Sequence, residues 1–309
     1  MEKKVLVAVD DSVHSQEAVR YAAKTCSVVE DMTYTLLHVQ ALVPHILADV
    51  KKGHPALDSN IQGFVRKNTE GAKAALQKLK DLMGGEGTLR DRVQVVIQPM
   101  QEGMAKDIID TARQGHYEAI VLGRQALTPR RDFFIGTTAA KVVEHALDIP
   151  VWIVGQSNAA MEFMLAVDGS ENSQRCVDHL IRTVGPNPNF KLTLFHVVPW
   201  LRHYFSLEFE KENPRLQEIL HTEDERRMEG FYEEAYWKMK ASGINENQIR
   251  IKTENHSYDI STAILGEART GKYATVILGR RGERDAFFTG QIAMRLVQKI
   301  TDQVLWIVP

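Results

Sequence analysis

The segment VLVAVDDSVHS at residues 5–15 returns as FMLAVDGSENS at residues 163–173, and this recurrence decides the fold. Asp10 falls on Asp168, Ser12 on Ser170 and Ser15 on Ser173, a constant offset of 158. In the first copy a continuous apolar run rich in β-branched residues, 5–9, ends at the aspartate. A run of that length and composition predicts a strand buried on both faces, as in a parallel sheet. Ser12 suits the N-cap of a following helix, in which Val13, Ala18, Val19, Ala22 and Ala23 recur at helical spacing.

The repeat extends along the chain. LLHV (36–39) matches LFHV (194–197) at the same offset, and RQGHYEAIVLGR (113–124) matches RTGKYATVILGR (269–280) at 156. FFIG (133–136) pairs with FFTG (287–290), and WIV (152–154) with WIV (306–308), both at 154. Blocks in one order with slowly drifting offsets mark a duplicated unit. The sequence therefore predicts two domains, 1–155 and 161–309, joined by a short polar linker at 155–160.

Within the first repeat, strands are expected at 5–9, 33–39, 93–97, 119–122 and 151–154. Helices are expected from about 13 to 29, 60 to 83 (closed by Gly84 and Gly85), 104 to 113 and 137 to 146. The second repeat has 192–197, 215–239, 249–253 and 276–278 in the corresponding places. Alternating strands and helices imply βαβ crossovers and an α/β fold of two doubly wound parallel five-stranded sheets. Such sheets bind ligands beyond the carboxyl ends of their strands, where the strand order switches. That rule singles out Asp10, Val39 and Gly123, with Asp168, Val197 and Gly279.

The 309 residues carry 38 Lys+Arg against 40 Asp+Glu, a formal charge of −2, which gives no electrostatic case for a nucleic-acid partner. Two cysteines, Cys26 and Cys176, lack metal spacing and cannot build a disulfide framework, which points to a reducing, cytoplasmic compartment. The N-terminal apolar run is too short for a signal peptide. No stretch approaches the roughly 18 apolar residues of a membrane span, so no membrane insertion is expected.

The stretch from Gly123 to Thr138 carries the clearest chemical signal. Glycine lets backbone approach a ligand, and Gly136-Thr137 opens a helix whose free N–H groups and dipole suit a phosphate. The same residues also fit a strand-ending turn at Gly123 and an ordinary N-cap region at Thr137, and spacing alone leaves both open. Arg130, Arg131, Arg280, Arg281 and Arg284 can meet phosphate oxygens or form surface ion pairs. GEARTGK (266–272) mimics a Walker A loop, but Tyr273 stands where Ser or Thr is needed and the segment runs from helix into strand. His38 and His196 fit structural histidines at strand ends better than metal ligands. No recognisable catalytic set is present. Trp200, Tyr204, Phe205 and Phe209 fit a lid over the second crevice, a hydrophobic partner site or a cover for the long helix that follows.

The Val-Asp-x-Ser starts, the His-Val pairs, the Leu-Gly-Arg triplets and the glycine pattern after them resemble the universal stress protein family, in its tandem form, over nearly the whole chain. The resemblance implies an adenine nucleotide alpha hydrolase-like fold. In ATP-binding members the loop reads G-x2-G-x9-G-[ST]. By that resemblance Asp10 would reach ribose, Val39 adenine, and Gly123, Arg124, Ala126, Gly136 and Thr137 the phosphates of ATP, with Mg²⁺ or Mn²⁺ as counter-ion. The first repeat departs at Ala126, whose methyl group resists positive φ. The second repeat keeps Gly279 and Gly282, but only seven residues separate Gly282 from Gly290, and Gln291 replaces Ser or Thr. Asp168, Val197, Gly279, Gly282 and Gly290 are therefore expected to form a second, degenerate site. Single-domain relatives pair through their last strands, so an intramolecular pseudo-dimer is expected, with Trp152 and Trp306 near its two-fold and further homodimerisation open. The function implied is an ATP-binding stress-response module acting on a protein partner; a nucleotide-independent scaffold and a weak ATPase are the alternatives.

Overall fold

The computed structural model describes residues 3–41, 55–88, 90–124, 136–155, 161–255, 257, 259–280 and 291–309. The first repeat comprises β1 (Lys3–Ala8), α1 (Val13–Thr25), β2 (Met32–Gln40), α2 (Pro55–Gly85), β3 (Val93–Pro99), α3 (Met104–Gln114), β4 (Ala119–Gly123), α4 (Thr137–His145) and β5 (Val151–Val154). The second comprises β6 (Glu162–Val167), α5 (Glu171–Val184), β7 (Lys191–Val197), the short α6 (Leu207–Glu212), α7 (Pro214–Ala241), β8 (Ile249–Glu254), α8 (Ile260–Thr270), β9 (Thr275–Gly279), α9 (Gln291–Lys299) and β10 (Val304–Val308). The expected strands are all present. The long helix of the first repeat starts earlier than its apolar pattern suggests, at Pro55, a residue suited to a first helical turn. Gly84 and Gly85 lie in its last turn rather than beyond it.

Each repeat forms a five-stranded parallel sheet, and the two join edge to edge into one ten-stranded sheet ordered β3-β2-β1-β4-β5-β10-β9-β6-β7-β8. Parallel neighbours require crossovers, which the helices supply. The strand order reverses between β1 and β4, and between β6 and β9, so a crevice lies at the carboxyl end of each switch point. Alternate residues serve opposite faces: Val5 and Val7 join the core beneath α1, α2, α5 and α7, whereas Leu6 joins the core beneath α3, α4, α8 and α9. The buried stretches of the inner strands are therefore mostly apolar. Of the outer strands, β3 is mostly half-buried and β8 mostly exposed, and Arg250 and Lys252 on β8 protect that edge from further pairing.

The seam between repeats is antiparallel, with Trp152 opposite Trp306 in the β5·β10 register. Both indoles are fully buried. Tyr21 of α1 and His179 of α5, equivalent positions in the two repeats, pack edge-on against the Trp152 ring. The Trp152 indole N–H donates to His179 Nε2 at 3.0 Å, and the Tyr21 hydroxyl bonds Thr275 Oγ1 at 2.8 Å. The expected intramolecular pseudo-dimer is thus built on its last strands.

Candidate functional site

The end of β1 turns sharply because the Asp10 side chain closes on the chain that follows. Asp10 Oδ1 accepts from the Ser12 amide at 3.0 Å and from the Ser15 hydroxyl at 2.7 Å. Ser12 then caps α1 by accepting from the Ser15 amide at 3.2 Å. Burial raises the Asp10 pKa, but the hydrogen bonds from Ser12 and Ser15 outweigh it and hold the carboxyl below its ordinary value. An ionised carboxylate therefore lines the first crevice, with Oδ2 the oxygen left for a ligand. Asp168 repeats the arrangement, accepting from the Ser170 amide at 3.0 Å and the Ser173 hydroxyl at 2.7 Å.

The histidines ending the second strand of each repeat tie it to the first. His38 Nδ1 lies 3.0 Å from the Val9 carbonyl, and His196 Nδ1 lies 3.0 Å from the Val167 carbonyl. A carbonyl only accepts, so the Nδ1 proton is donated in both. Val39 and Val197, the next residues, reach the two crevices.

Gly123 has a packing role that spacing could not separate from a ligand role. A Cβ there would sit 2.5 Å from the His14 carbonyl oxygen, so only glycine lets the first turn of α1 lie against the end of β4. Gly136 sits at the N-cap of α4, which therefore has no side-chain cap, whereas α1, α5 and α8 begin with serine or aspartate side chains accepting a first-turn amide. The start of α4 thus offers amide donors at the crevice. Gly136 lines it, as does Thr138, which sequence reasoning missed; Thr137 is solvent-exposed and is not part of the wall. Ala126, Gly282 and Gly290, with Arg130, Arg131, Arg281 and Arg284, lie outside the described residues.

The two Leu-Gly-Arg arginines go elsewhere than to a phosphate. Arg124 is buried, and its Nη2 donates to the Val297 carbonyl in the last turn of α9 at 2.8 Å. Arg280 crosses the other way, donating from Nη1 to the Val143 carbonyl and from Nη2 to Ala146 at 2.9 Å, at the end of α4. Each guanidinium therefore closes the C-terminus of the opposite repeat's helix, where carbonyls lack partners and the helix dipole favours a cation. Burial pushes Arg124 down to about 10, which leaves it charged at neutral pH.

The second crevice is built from the same positions as the first. It adds a polar wall that the sequence did not reveal. His196 Nε2 lies 2.8 Å from Asp224 Oδ2, both buried, and Arg227 reaches Asp224 Oδ1 at 3.2 Å. Gly169, at φ 72°, makes room: a Cβ there would lie 2.8 Å from Arg227 Cγ. Of the aromatic residues after Pro199, Tyr204 lines the crevice and Trp200 packs edge-on against His221 of α7, whereas Phe205 and Phe209 pack on each other.

Two copies of a doubly wound domain, each with an Asp-x-Ser turn at its switch point and fused through their last strands, define a tandem α/β protein with paired crevices. The chain belongs to the universal stress protein family, whose sequence profile matches residues 1–155 and again 161–307. A universal stress protein of Mycolicibacterium smegmatis is 25% identical over 179 residues, which cover 57% of each chain. The chain thus spans a little over half the length of that relative. Among solved structures, a universal stress protein from Archaeoglobus fulgidus superposes with a TM-score of 0.61 at 16% identity, covering 99% of this chain and 98% of that one. A functionally unknown Pseudomonas aeruginosa protein gives 0.58 at 13% identity, covering 99% and 92%. These likenesses establish the fold over both halves. Among the described residues no helix is long and apolar enough to cross a membrane.

Proposed function

We propose that this chain is a stress-response module that binds an adenine nucleotide, ATP with Mg²⁺ or Mn²⁺, in its first crevice and acts without dedicated catalysis. The observation that carries the reading is the pairing of an ionised Asp10 with the side-chain-free N-terminus of α4 across one crevice. A carboxylate suits the hydroxyls of a ribose, and uncapped amides with the Thr138 hydroxyl suit phosphate oxygens. Val39 would lie against the base, and Gly136 would let the phosphates approach the helix. The bound metal ion would neutralise phosphate charge. Its output would be an effect on a protein partner in the cytoplasm, which requires the liganded and free states to differ at a partner surface.

Thermal melting and calorimetric titration with ATP and Mg²⁺ test the proposal. A ligand at 100 times its Kd should add about 2.7 kcal/mol of stability. Gly136 has φ −55° and ψ 147°, open to any residue, so Gly136→Val fills the cradle without backbone strain. It should weaken ATP at least ten-fold while leaving the unliganded melting temperature within a few degrees. No ATP-dependent shift at millimolar concentration would overturn the proposal in favour of a nucleotide-independent scaffold. Release of inorganic phosphate that Gly136→Val abolishes would instead make the protein a weak ATPase.

A further inference from the structure

The two crevices share their walls position by position, which makes their differences informative. Where the first has Thr138 at the start of α4, the second has Ile292, 154 residues on, on the same part of its wall. The residue before it is Gln291 instead of Thr137, and the preceding loop is two residues shorter. Phosphate oxygens placed there would lose water and meet hydrocarbon, an unfavourable exchange. Charge does not separate the two walls: Asp168, Asp224 and Arg227 leave one net negative charge on the second, as Asp10 does on the first, so the difference lies in Ile292.

The other half of the second crevice is intact and carries more aromatic surface than in the first. Asp168 keeps the hydrogen-bond geometry of Asp10. Phe195 replaces Leu37 on the floor, and Tyr204 closes the side toward α7. Aromatic rings suit a flat heterocycle, and a carboxylate suits vicinal hydroxyls, each of which donates a proton to it.

We propose that the second crevice is a binding site for an unphosphorylated nucleoside, an aromatic heterocycle carrying a hydroxylated sugar, and rejects the corresponding polyphosphates. The inference rests on the nucleotide reading of the first crevice, from which the heterocycle and sugar are taken. The two crevices then split recognition of one ligand between them, since the first accommodates the phosphates and the second excludes them. A chain holding both sites senses the phosphorylated and unphosphorylated forms of that ligand separately.

Calorimetric titration of the intact chain with adenosine, in the absence and presence of saturating ATP and Mg²⁺, tests this. One equivalent of adenosine should bind with ATP present, its Kd changed less than two-fold. Tyr204→Ala and Asp168→Asn should each weaken adenosine ten-fold or more without changing the affinity for ATP. Tyr204 is 38% exposed, and asparagine keeps an Oδ1 acceptor for the Ser170 amide, so both variants should fold; circular dichroism checks this. Absence of saturable adenosine binding at millimolar concentration overturns the proposal. So does adenosine binding indifferent to both substitutions, or ATP displacing adenosine from the site they weaken. Failure of the nucleotide reading has a different signature, loss of Gly136-dependent ATP binding, and leaves the adenosine result to be judged on the two crevice-two variants.

Discussion

Trp152 and Trp306 stack face to face at the seam between the repeats, ring centroids 4.1 Å apart and planes 2° from parallel. They belong to strands with different partners, β4 and β9, and meet only because β5 and β10 pair antiparallel. The stack therefore reports directly on the association of the two halves. Trp306→Ala removes one of the two stacked indoles and should cost about 3–5 kcal/mol in denaturant unfolding. Trp306→Asp buries a charge without a partner and should separate the repeats into independently melting units. A Trp306→Asp protein with an unchanged single transition and unchanged near-ultraviolet dichroism would refute the seam described above.

Arg124 and Arg280 make the association reciprocal. Each leaves the end of one repeat's fourth strand and closes a helix in the other. Arg280→Ala would leave two carbonyls at the end of α4 without their charged donor, a loss of about 1–3 kcal/mol. Arg280→Lys should recover only part of this, because one ammonium cannot reproduce the two-nitrogen fork. Hydrogen exchange at the C-terminal turn of α4 should quicken in Arg280→Ala, although the substitution lies in the other repeat.

Gly123 allows the packing and ligand roles of a motif residue to be separated. A methyl group at this position meets backbone of His14, which cannot swing aside as a side-chain tip would. Gly123→Ala should therefore destabilise the unliganded protein by about 1–3 kcal/mol. The measurement is the denaturation midpoint without nucleotide. If it is unchanged while ATP affinity falls, the glycine serves the ligand alone.

These cases show what was legible in the chain. The strands were written in apolar runs, and the duplication in repeated blocks whose equivalence survives in hydrogen bonds, as Asp10 and Asp168 demonstrate. The seam followed from two apolar terminal strands that each needed a partner. What could not be read depends on rotation and distance between elements. Asp224 faces inward on the same stripe of α7 as Met228, Phe231, Ala235 and Met239, a spacing legible in the sequence, but its meeting with His196 depends on where α7 lies against β7. Gly169 is a second clue, a glycine where the first repeat has Asp11, and its positive φ and near contact with Arg227 appear only in three dimensions. The arginines after Leu-Gly were misplaced because the sequence shows them entering a loop near a possible phosphate site, while their side chains run across the seam.

His179 supplies an acid-sensitive element at that same seam. Its Nε2 accepts the Trp152 indole proton at 3.0 Å, so the ring must be neutral there. Burial, helped by the charge of Arg182, pushes its pKa down to about 3 from an ordinary value near 6.5. Above pH 6.5 the ring is neutral in folded and unfolded chains alike, and its contribution to stability is complete. As pH falls from 6.5 toward 3, the unfolded chain takes up a proton that the folded chain refuses. Stability should then drop by up to about 1.4 kcal/mol per pH unit from this residue. Glutamine at this position keeps an acceptor for the indole but does not titrate. In His179→Gln, the slope of unfolding free energy between pH 6 and 4, measured by urea titration, should therefore shrink by the equivalent of about one proton. The carboxylates held by Ser12 and Ser15 or by Arg113 respond in both proteins and cancel in the comparison. Equal slopes in the two proteins would mean that His179 is protonated in the folded state, and that the indole proton has another acceptor.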